Sequence, residues 1–305
     1  MVSIDNSSSK KLIVIAGPTA IGKTALSIKL AQHYSCPILS FDSRQFYTEM
    51  TIGTAKPSEK ELTKTEHHFI NSRSIHNLYT AGMFETDAIH QLNEIYKTND
   101  ICIAVGGSGL YINGLCYGID NIPSDEKIRE KLKNRWLKEG LIVLQEEVKK
   151  IDPEYYQIAD IQNPRRIMRA LEVYEISGKT YTSFRSKKKK ERNFNSIWIG
   201  LKGEMEPLYE RINQRVDEML LEGLVEEVKT LLPFKELKAL NTVGYTELFE
   251  YLEGHCDLEE AIRLIKRNSR RYAKRQLTWF RKNSDINWFN PTDFEKISQH
   301  IEANK

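Results

Sequence analysis

The sequence contains few cysteines and no long apolar run, and both absences exclude classes of protein. Its four cysteines are far apart and include no C-x-x-C pair, which argues against a zinc ribbon, a redox pair or a disulfide framework. No apolar segment approaches the roughly 20 residues that span a bilayer. The polar start MVSIDNSSSKK precedes an apolar run that is too short for a signal peptide. We therefore expect a cytoplasmic protein with reduced thiols and no membrane association.

Two motifs of common nucleotide-hydrolysing proteins are also missing. The sequence has no N-K-x-D guanine-recognition motif, which disfavours a GTPase. The third predicted strand ends in AVGGSG (104–109) rather than in the acid that holds Mg²⁺ in many phosphate-loop enzymes. The net charge is only +3, so the total charge alone identifies no partner.

The sequence does contain the alternation of short apolar and longer amphipathic runs that is typical of an α/β fold. Helices are predicted over 22–34 and 83–97, and strands over 11–17, 36–42, 100–106 and 195–202. We expect a phosphate-loop α/β core with a parallel sheet flanked by helices, formed by residues 1–119 and 194–305, with a basic helical C-terminal part.

Residues 120–193 show one helical pattern after another and predict an all-helical insertion domain. The best-defined helix follows Asn163, a capping residue, and Pro164, which suits the first helical position; Gly178 ends it. The helical period predicts that Ile167, Leu171 and Tyr174 form its packed face.

The most specific local motif is AGPTAIGKT (16–24), with the spacing G-x-x-x-x-G-K-[ST] between a predicted strand and a predicted helix. Its glycines let backbone N–H groups converge on phosphate oxygens, and the helix N-terminus favours anions. Lys23 adds a cation, and the Thr24 hydroxyl is placed to bind Mg²⁺. The predicted diphosphate or nucleotide site comprises Gly17, Pro18, Thr19, Ala20, Ile21, Gly22, Lys23 and Thr24.

Asp42 lies at the end of the second predicted strand, where it would face the phosphate loop across the crevice at the carboxyl ends of the strands. A carboxylate there can act as general base on an incoming nucleophile. A helix cap or an outer ligand of Mg²⁺ is the alternative role.

Farther along, nine Lys or Arg and no acid lie between Arg263 and Lys282, interleaved with Tyr272, Trp279 and Phe280. Such a segment suits phosphate neutralisation and base stacking.

These segments resemble the tRNA dimethylallyltransferase (IPP transferase) family in its bacterial form. The similarity runs collinearly from Leu12 to Phe289, and its most specific motifs are DSxQxY…GTAKP (42–57) and AKRQLTWFR (273–281). It implies transfer of a dimethylallyl group from dimethylallyl diphosphate to N6 of the adenine 3′ of the anticodon (position 37), in tRNAs that read codons starting with U. Diphosphate would leave, with Mg²⁺ as cofactor, so the loop would hold a prenyl donor rather than ATP. The family also implies a monomer.

The resemblance assigns roles residue by residue. Asp42 matches the general base, Ser108 stands where the family usually has Thr, and Arg215 matches a diphosphate ligand, as Arg169 does; Thr24 would hold the metal. The tRNA-binding residues, of which the last three are added by the basic C-terminal helix, are Asp42, Ser43, Arg44, Gln45, Ser108, Arg165, Arg166, Ile167, Met168, Arg169, Asn241, Thr242, Val243, Gly244, Tyr245, Thr246, Arg271, Lys274 and Arg275.

Several alternatives stay open at this point. Ile21 replaces a residue that is small or hydroxylated in the family, so it could pack on the prenyl chain and alter the choice of donor. The lysine run 187–190 is either a solvated loop or a further contact with the anticodon arm. The competing functions are an adenylate isopentenyltransferase, a phosphate-loop small-molecule kinase and a nucleotide-gated RNA-binding protein. The insertion and the basic C-terminal third favour tRNA over a free nucleotide.

Overall fold

The computed structural model describes residues 10–186 and 188–305. The strands, in chain order, are β1 (Lys11–Ala16), β2 (Ile38–Ser40), β3 (His67–His68), β4 (Ile101–Gly106), β5 (Asn195–Leu201) and β6 (Ile286–Phe289). The helices are α1 (Lys23–Tyr34), α2 (Glu59–Leu62), α3 (Ala81–Ile95), α4 (Gly109–Tyr117), α5 (Glu126–Glu139), α6 (Leu141–Ile151), α7 (Pro153–Ile158), α8 (Pro164–Ser177), α9 (Tyr181–Phe184), α10 (Met205–Leu221), α11 (Leu224–Leu231), α12 (Tyr245–Leu252), α13 (Leu258–Phe280) and α14 (Phe294–Glu302).

The strands form one sheet in the order β3-β2-β4-β1-β5-β6, and every neighbouring pair is parallel. The predicted parallel sheet is therefore confirmed. The two edge strands were not predicted, because β3 is two histidines long and β6 has only four residues, which is too short for a clear pattern. Because all the strands are parallel, the loop that follows β1 begins at the carboxyl edge of the sheet, where parallel α/β sheets bind ligands. Since β1 lies inside the sheet, this loop has strands on both sides.

Helices cover both faces of the sheet, and β1 shows why. Its successive side chains point to opposite faces, so Leu12 and Val14 join one buried cluster while Ile13 and Ile15 join the other. All four are fully buried. This run of apolar residues is what a strand covered on both sides requires.

The chain forms two compact units, one running to Tyr117 and resuming from Glu191 to Lys305, and the other comprising Gly118–Lys190. The second unit is helical, as expected, and it overlaps the predicted insertion 120–193, whose independence as a domain stays a prediction. Lys187, the first residue of the lysine run, lies outside the described residues. Among the helices of the described chain, none is both long and apolar enough to cross a bilayer.

Helix α8 in the helical unit begins and ends as its sequence predicts. The Asn163 side chain accepts a hydrogen bond from the Arg165 N–H at 3.1 Å, and Gly178 ends the helix with φ 66°. Ile167 and Leu171 are buried, but the prediction for Tyr174 is wrong, because its side chain is 41% exposed. The buried face turns toward Val173 in the last turns, which leaves Tyr174 at its edge.

We predict that Gly106→Ala destabilises the fold, whereas the same substitution at Gly82 does not. A Cβ at Gly106 would lie 2.6 Å from Phe41 Cδ2 and 2.9 Å from the Phe41 carbonyl carbon, inside the core. Overpacking of this kind costs about 1–3 kcal/mol of unfolding free energy. A Cβ at Gly82, in α3, meets only Thr80 Oγ1 at 3.9 Å, so the better helix propensity of alanine applies. Urea unfolding of both variants measures the difference, and equal midpoints would contradict it.

Candidate active site

The loop between β1 and α1 has the backbone geometry of an anion site. Gly22 lies in the left-handed region at φ 106°, and Ala20 lies there as well at φ 61°, which is rare for a residue with a side chain. Helix α1 begins at Lys23 with no side chain capping its first turn and no acid in that turn. Its first N–H groups and the positive end of its dipole therefore favour an anion.

A cavity of about 340 Å³ opens beside this loop, a size usual for a small-molecule site. Its walls come from the loop, the segment after β2, the end of β4, and helices α10 and α13. The lining residues used below are Thr19, Ala20, Gly22, Lys23, Thr24, Asp42, Arg44, Gln45, Arg215, Thr242, Val243, Gly244, Tyr272 and Gln276.

Lys23 places a cation at the start of α1. Its Nζ donates a hydrogen bond to the Pro18 carbonyl at 2.7 Å. Burial lowers the pKa of Lys23 to about 8, the nearby Asp42 carboxylate opposes that shift, and the Arg215 guanidinium adds to it. The three charged groups are therefore close enough to interact, and two cations face one carboxylate.

Asp42 lies two residues beyond β2, and its carboxylate is anchored by the backbone. Oδ1 accepts a hydrogen bond from the Arg44 N–H at 2.9 Å and so stabilises the turn that follows Asp42. No helix begins at this turn, which lies within the described residues, so the helix-cap alternative is wrong. The next residue is held from the other side, because the Ser43 N–H donates to Ser108 Oγ at 3.0 Å and the two hydroxyls lie 3.0 Å apart. Ser108 thus contacts the segment that carries Asp42.

Arg215 and Arg169 have different surroundings. Arg215 lines the cavity together with Ile212, at the edge of the apolar face of α10, and burial lowers its pKa. Arg169 lies in the helical unit, where its guanidinium donates to the carbonyls of Pro123 and Ile122 at 2.8 and 3.1 Å. It also lies 2.9 Å from the buried Glu172 carboxylate. A diphosphate-binding role stays a prediction for both arginines.

The residues predicted to contact tRNA divide by exposure. Arg44 joins two of the predicted segments, since its guanidinium donates to the carbonyls of Lys238 and Asn241 at 3.4 and 3.2 Å. The Gln45 amide donates to the carbonyls of Thr54 and Ala55 at 3.2 and 3.0 Å. It therefore fixes the wall of the cavity rather than projecting from it. Asn241, Arg165 and Arg166 are exposed, and Met168 is half-buried.

Three of the predicted contact residues have buried side chains, so any contact with tRNA or donor at these positions would involve the backbone and stays a prediction. Ile167 is buried in the core of the helical unit, and Tyr245 is fully buried with its hydroxyl donating to Glu227 at 2.7 Å. Neither side chain is accessible to RNA. Ile21 is 2% exposed in a core cluster and does not line the cavity, so it cannot select the prenyl chain by packing on it.

Gln276 and Glu227 were missed by the sequence interpretation, and Tyr272 was predicted only as an aromatic residue of the basic segment, not as part of the cavity. Gln276 and Tyr272 lie one turn apart on α13 and line the cavity; their i, i+4 spacing among buried positions was the available signal. Burial raises the pKa of Tyr272 to about 12, and Asp42 adds to that shift. Glu227 accepts hydrogen bonds from three backbone N–H groups at residues 51–53, at 2.8–3.1 Å. No local pattern signals a contact between positions so distant in the chain.

The outward face of α13 is basic and carries an exposed aromatic ring. Arg271, Lys274 and Arg275 are exposed, and Trp279 is 43% exposed. A shallow groove is lined by Arg271, Lys274, Arg275, Thr278, Trp279 and Lys282. Cations around an accessible indole suit a nucleic acid that offers phosphates and unpaired bases.

The fold and the site define a phosphate-loop α/β protein with a cation-lined cavity beside a basic helix. A family model described as IPP transferase matches residues 45–283. The tRNA dimethylallyltransferase of Christiangramia forsetii is 51% identical over 96% of this chain and 96% of its own length; that of Flavobacterium johnsoniae is 50% identical over 97% and 98%. This chain belongs to the IPP transferase family.

Two solved structures are also similar. The full-length tRNA isopentenylpyrophosphate transferase of Bacillus halodurans is 37% identical with a TM-score of 0.70, over 97% of this chain and 96% of that one. A eukaryotic dimethylallyltransferase acting on tRNA is 28% identical with a TM-score of 0.77, over 97% and 77%. The similarity therefore includes the loop before residue 45, which the family model does not cover.

We predict that diphosphate binding weakens as the pH rises through the pKa of Lys23. The ammonium is protonated below its pKa of about 8 and neutral above it. Binding that requires the cation should lose affinity by up to about tenfold per pH unit above this value. Isothermal titration with inorganic diphosphate and Mg²⁺ from pH 7 to 9.5 measures the change. Lys23→Arg keeps its charge over this range and corrects for titration of the diphosphate itself. Wild-type affinity should fall relative to this variant as the pH rises, and parallel profiles would contradict the prediction.

Proposed function

We propose that this chain transfers a dimethylallyl group from dimethylallyl diphosphate to N6 of adenine 37 in tRNAs that read codons starting with U, and releases diphosphate. The observation that carries the proposal is the position of Asp42 in the same cavity as Lys23, Arg215 and the uncapped start of α1. That arrangement pairs an anion site with a proton acceptor. The names of the relatives support the reaction and its tRNA substrate.

The charge that develops on the leaving group explains why the cavity is lined by cations. When the allylic C–O bond breaks, negative charge builds on the diphosphate, and preorganised cations and N–H groups lower the barrier where that charge develops. Lys23, Arg215 and the start of α1 would hold those oxygens. Thr24 is half-buried, is the second residue of α1 and lines the cavity. A single hydroxyl ligand suits Mg²⁺, which keeps several waters and binds substrate phosphates. When bound there, the ion supplies further neutralisation of the leaving group.

The weak nucleophilicity of the adenine amine explains why the site contains the Asp42 carboxylate. The N6 lone pair of adenine is delocalised into the ring, so the amine gains by losing a proton as it attacks. In the proposed step the N6–C bond forms, the C–O bond to diphosphate breaks, and the N6 proton passes to Asp42. The hydrogen bond from the Arg44 N–H holds that carboxylate in place at the cavity that Asp42 lines. Ser108 would act by holding the segment after Asp42.

The partner is tRNA through its anticodon arm. An adenine stacked in the loop cannot reach a cavity of this kind, so the target base would be flipped out. The exposed cations of α13 and the α8 residues Arg165 and Arg166 would hold the RNA backbone. We infer a monomer that works in the cytoplasm, where its tRNA substrate is found.

The competing functions are separated by one set of incubations. Dimethylallyl diphosphate and Mg²⁺ are supplied with unmodified tRNA or with AMP, and ATP turnover is measured in parallel. Nucleoside mass spectrometry should detect one added dimethylallyl group in the tRNA alone. Modification of AMP would favour the free-nucleotide enzyme, and ATP turnover without a prenylated product would favour the kinase.

We predict that Asp42→Asn lowers kcat for tRNA prenylation by about 10²–10⁴-fold, the usual contribution of a positioned base. Asparagine keeps the Oδ1 acceptor for the Arg44 N–H but cannot take a proton. The dissociation constant for tRNA should stay within twofold of wild type, as measured by filter binding. Asp42→Ala removes the anchor as well and serves as the structural comparison. An asparagine variant with undiminished kcat would exclude Asp42 as the base.

We also predict that replacing Arg271, Lys274 and Arg275 together by Gln weakens tRNA binding and lowers its salt dependence. Each lost phosphate contact reduces the slope of log K against log salt by about 0.7–0.9. Filter binding at several salt concentrations measures the slope. The control replaces the exposed lysines Lys97, Lys229 and Lys296, which gives the same change in net charge away from the groove. Equal slopes for the two triple variants would contradict an RNA contact at the groove.

A further inference from the structure

The side chain of Gln276 connects two loops of the site that are far apart in the sequence. Its Oε1 accepts a hydrogen bond from the Thr19 N–H at 2.9 Å, and its Nε2 donates to the Gly107 carbonyl at 3.0 Å. The residue is 5% exposed. Both polar atoms of the amide are therefore engaged, one by the phosphate loop after β1 and the other by the turn after β4.

The Gly107 position is built around this amide. A Cβ there would lie 2.0 Å from Gln276 Nε2, a distance that no side chain can occupy without displacing the glutamine. The backbone conformation of Gly107 does not itself demand glycine, since its φ is outside the left-handed region. Space for the glutamine is the reason for a glycine here.

The two loops that Gln276 joins serve different reactants in the proposed reaction, the phosphate loop the diphosphate and the turn after β4 the segment with the proposed base. The phosphate loop contains Ala20 at a left-handed φ of 61°, a conformation that costs an alanine about 1–2 kcal/mol and persists only where neighbours fix it. The Thr19 N–H bond fixes the loop one residue before that point. The turn continues into Ser108, which contacts the segment after the Asp42 carboxylate.

Helix α13 also carries the basic groove on its outward face. Tyr272 and Gln276 face the cavity, whereas Lys274 and Arg275 are exposed. One helix of 23 residues therefore contacts the donor loop on one side and offers cations to RNA on the other.

We propose that Gln276 is a positioning residue that holds the phosphate loop in its diphosphate-binding conformation, against the turn that carries Ser108. The inference rests on the proposed function, because it names a further residue for the same reaction. Without the glutamine, the loop would have to be ordered by the ligand itself, and that cost appears as weaker binding of the diphosphate. The chemical step changes less, because bound diphosphate restores the loop.

The test is Gln276→Met, in which a side chain of similar length loses both hydrogen bonds. Isothermal titration with inorganic diphosphate and Mg²⁺ should show roughly tenfold weaker binding, as expected for the loss of buried hydrogen bonds. In the prenylation assay the KM for the donor should rise by a similar factor, with kcat reduced less than threefold. The tRNA dissociation constant without donor should not change.

Gln145→Met is the matched control. Gln145 is also a buried glutamine, and its amide donates to the Ile161 carbonyl at 2.7 Å in the helical unit. It should lower the melting temperature without altering the affinity for diphosphate. The proposal is overturned if folded Gln276→Met binds diphosphate within twofold of wild type, or if Gln145→Met weakens binding as much.

Gln276→Glu separates the two hydrogen bonds. The carboxylate can still accept from the Thr19 N–H, but it sets an oxygen against the Gly107 carbonyl and adds a negative charge beside the ligand. Diphosphate binding should be weaker than in Gln276→Met, and binding equal to wild type would overturn the proposal. Should the methionine variant not fold, Gln276→Asn, whose amide is too short to reach both partners, replaces it with the same expected result. Diphosphate binding needs no prenyl transfer, so a wild-type protein that binds diphosphate but modifies no tRNA contradicts the proposed function alone.

Discussion

The concentration of positive charge at the start of α1 is the constraint on which the candidate site depends. The helix N-terminus at Lys23 has no capping side chain, and the Lys23 and Arg215 side chains are half-buried, with burial lowering the pKa of each. Two half-buried cations beside uncapped N–H groups are unfavourable by themselves, and burial and the Arg215 charge both lower the pKa of Lys23. The arrangement makes physical sense only if an anion completes it, and the single carboxylate of Asp42 is too little charge to do so.

Such a site needs support from outside the loop, because the phosphate loop and the segment that carries Asp42 are irregular backbone. The support comes from side chains that satisfy backbone groups in distant segments. Glu227 accepts three N–H groups from residues 51–53, Gln45 donates to the Thr54 and Ala55 carbonyls, and Gln276 joins the phosphate loop to the next turn. Each bond spans segments that the sheet alone would leave independent, so the cavity wall is fixed before any ligand binds.

Sequence alone was sufficient where the physics is local. The parallel sheet follows from alternating apolar and amphipathic runs, and the ends of α8 follow from Asn163 and Gly178, whose signals lie within a few residues of their effect. The sequence-based predictions failed where the exposure of a side chain depends on tertiary contacts. Periodicity placed Tyr174 inside and gave no warning that Tyr245 is fully buried, because the partners that decide exposure come from elsewhere in the chain. Gln276 was missed for the same reason, because its two hydrogen-bond partners, the Thr19 N–H and the Gly107 carbonyl, lie more than 160 residues away in the chain.

The phosphate loop does not by itself decide which bond breaks. The same N–H groups and cation stabilise negative charge on a diphosphate whether the bond lost is P–O, as in kinases, or C–O, as proposed here. What differs is the opposite wall, where the nucleophile must approach the carbon rather than a terminal phosphorus. In this protein that wall contains Asp42, held by the Arg44 N–H and by the contact between Ser43 and Ser108, with Tyr272 beside it. We infer that the reaction depends on how the segment after β2 is held relative to the loop. Gln276 joins the loop to the turn after β4 through Thr19 and Gly107, and Ser108 in that turn contacts Ser43 in the segment after β2.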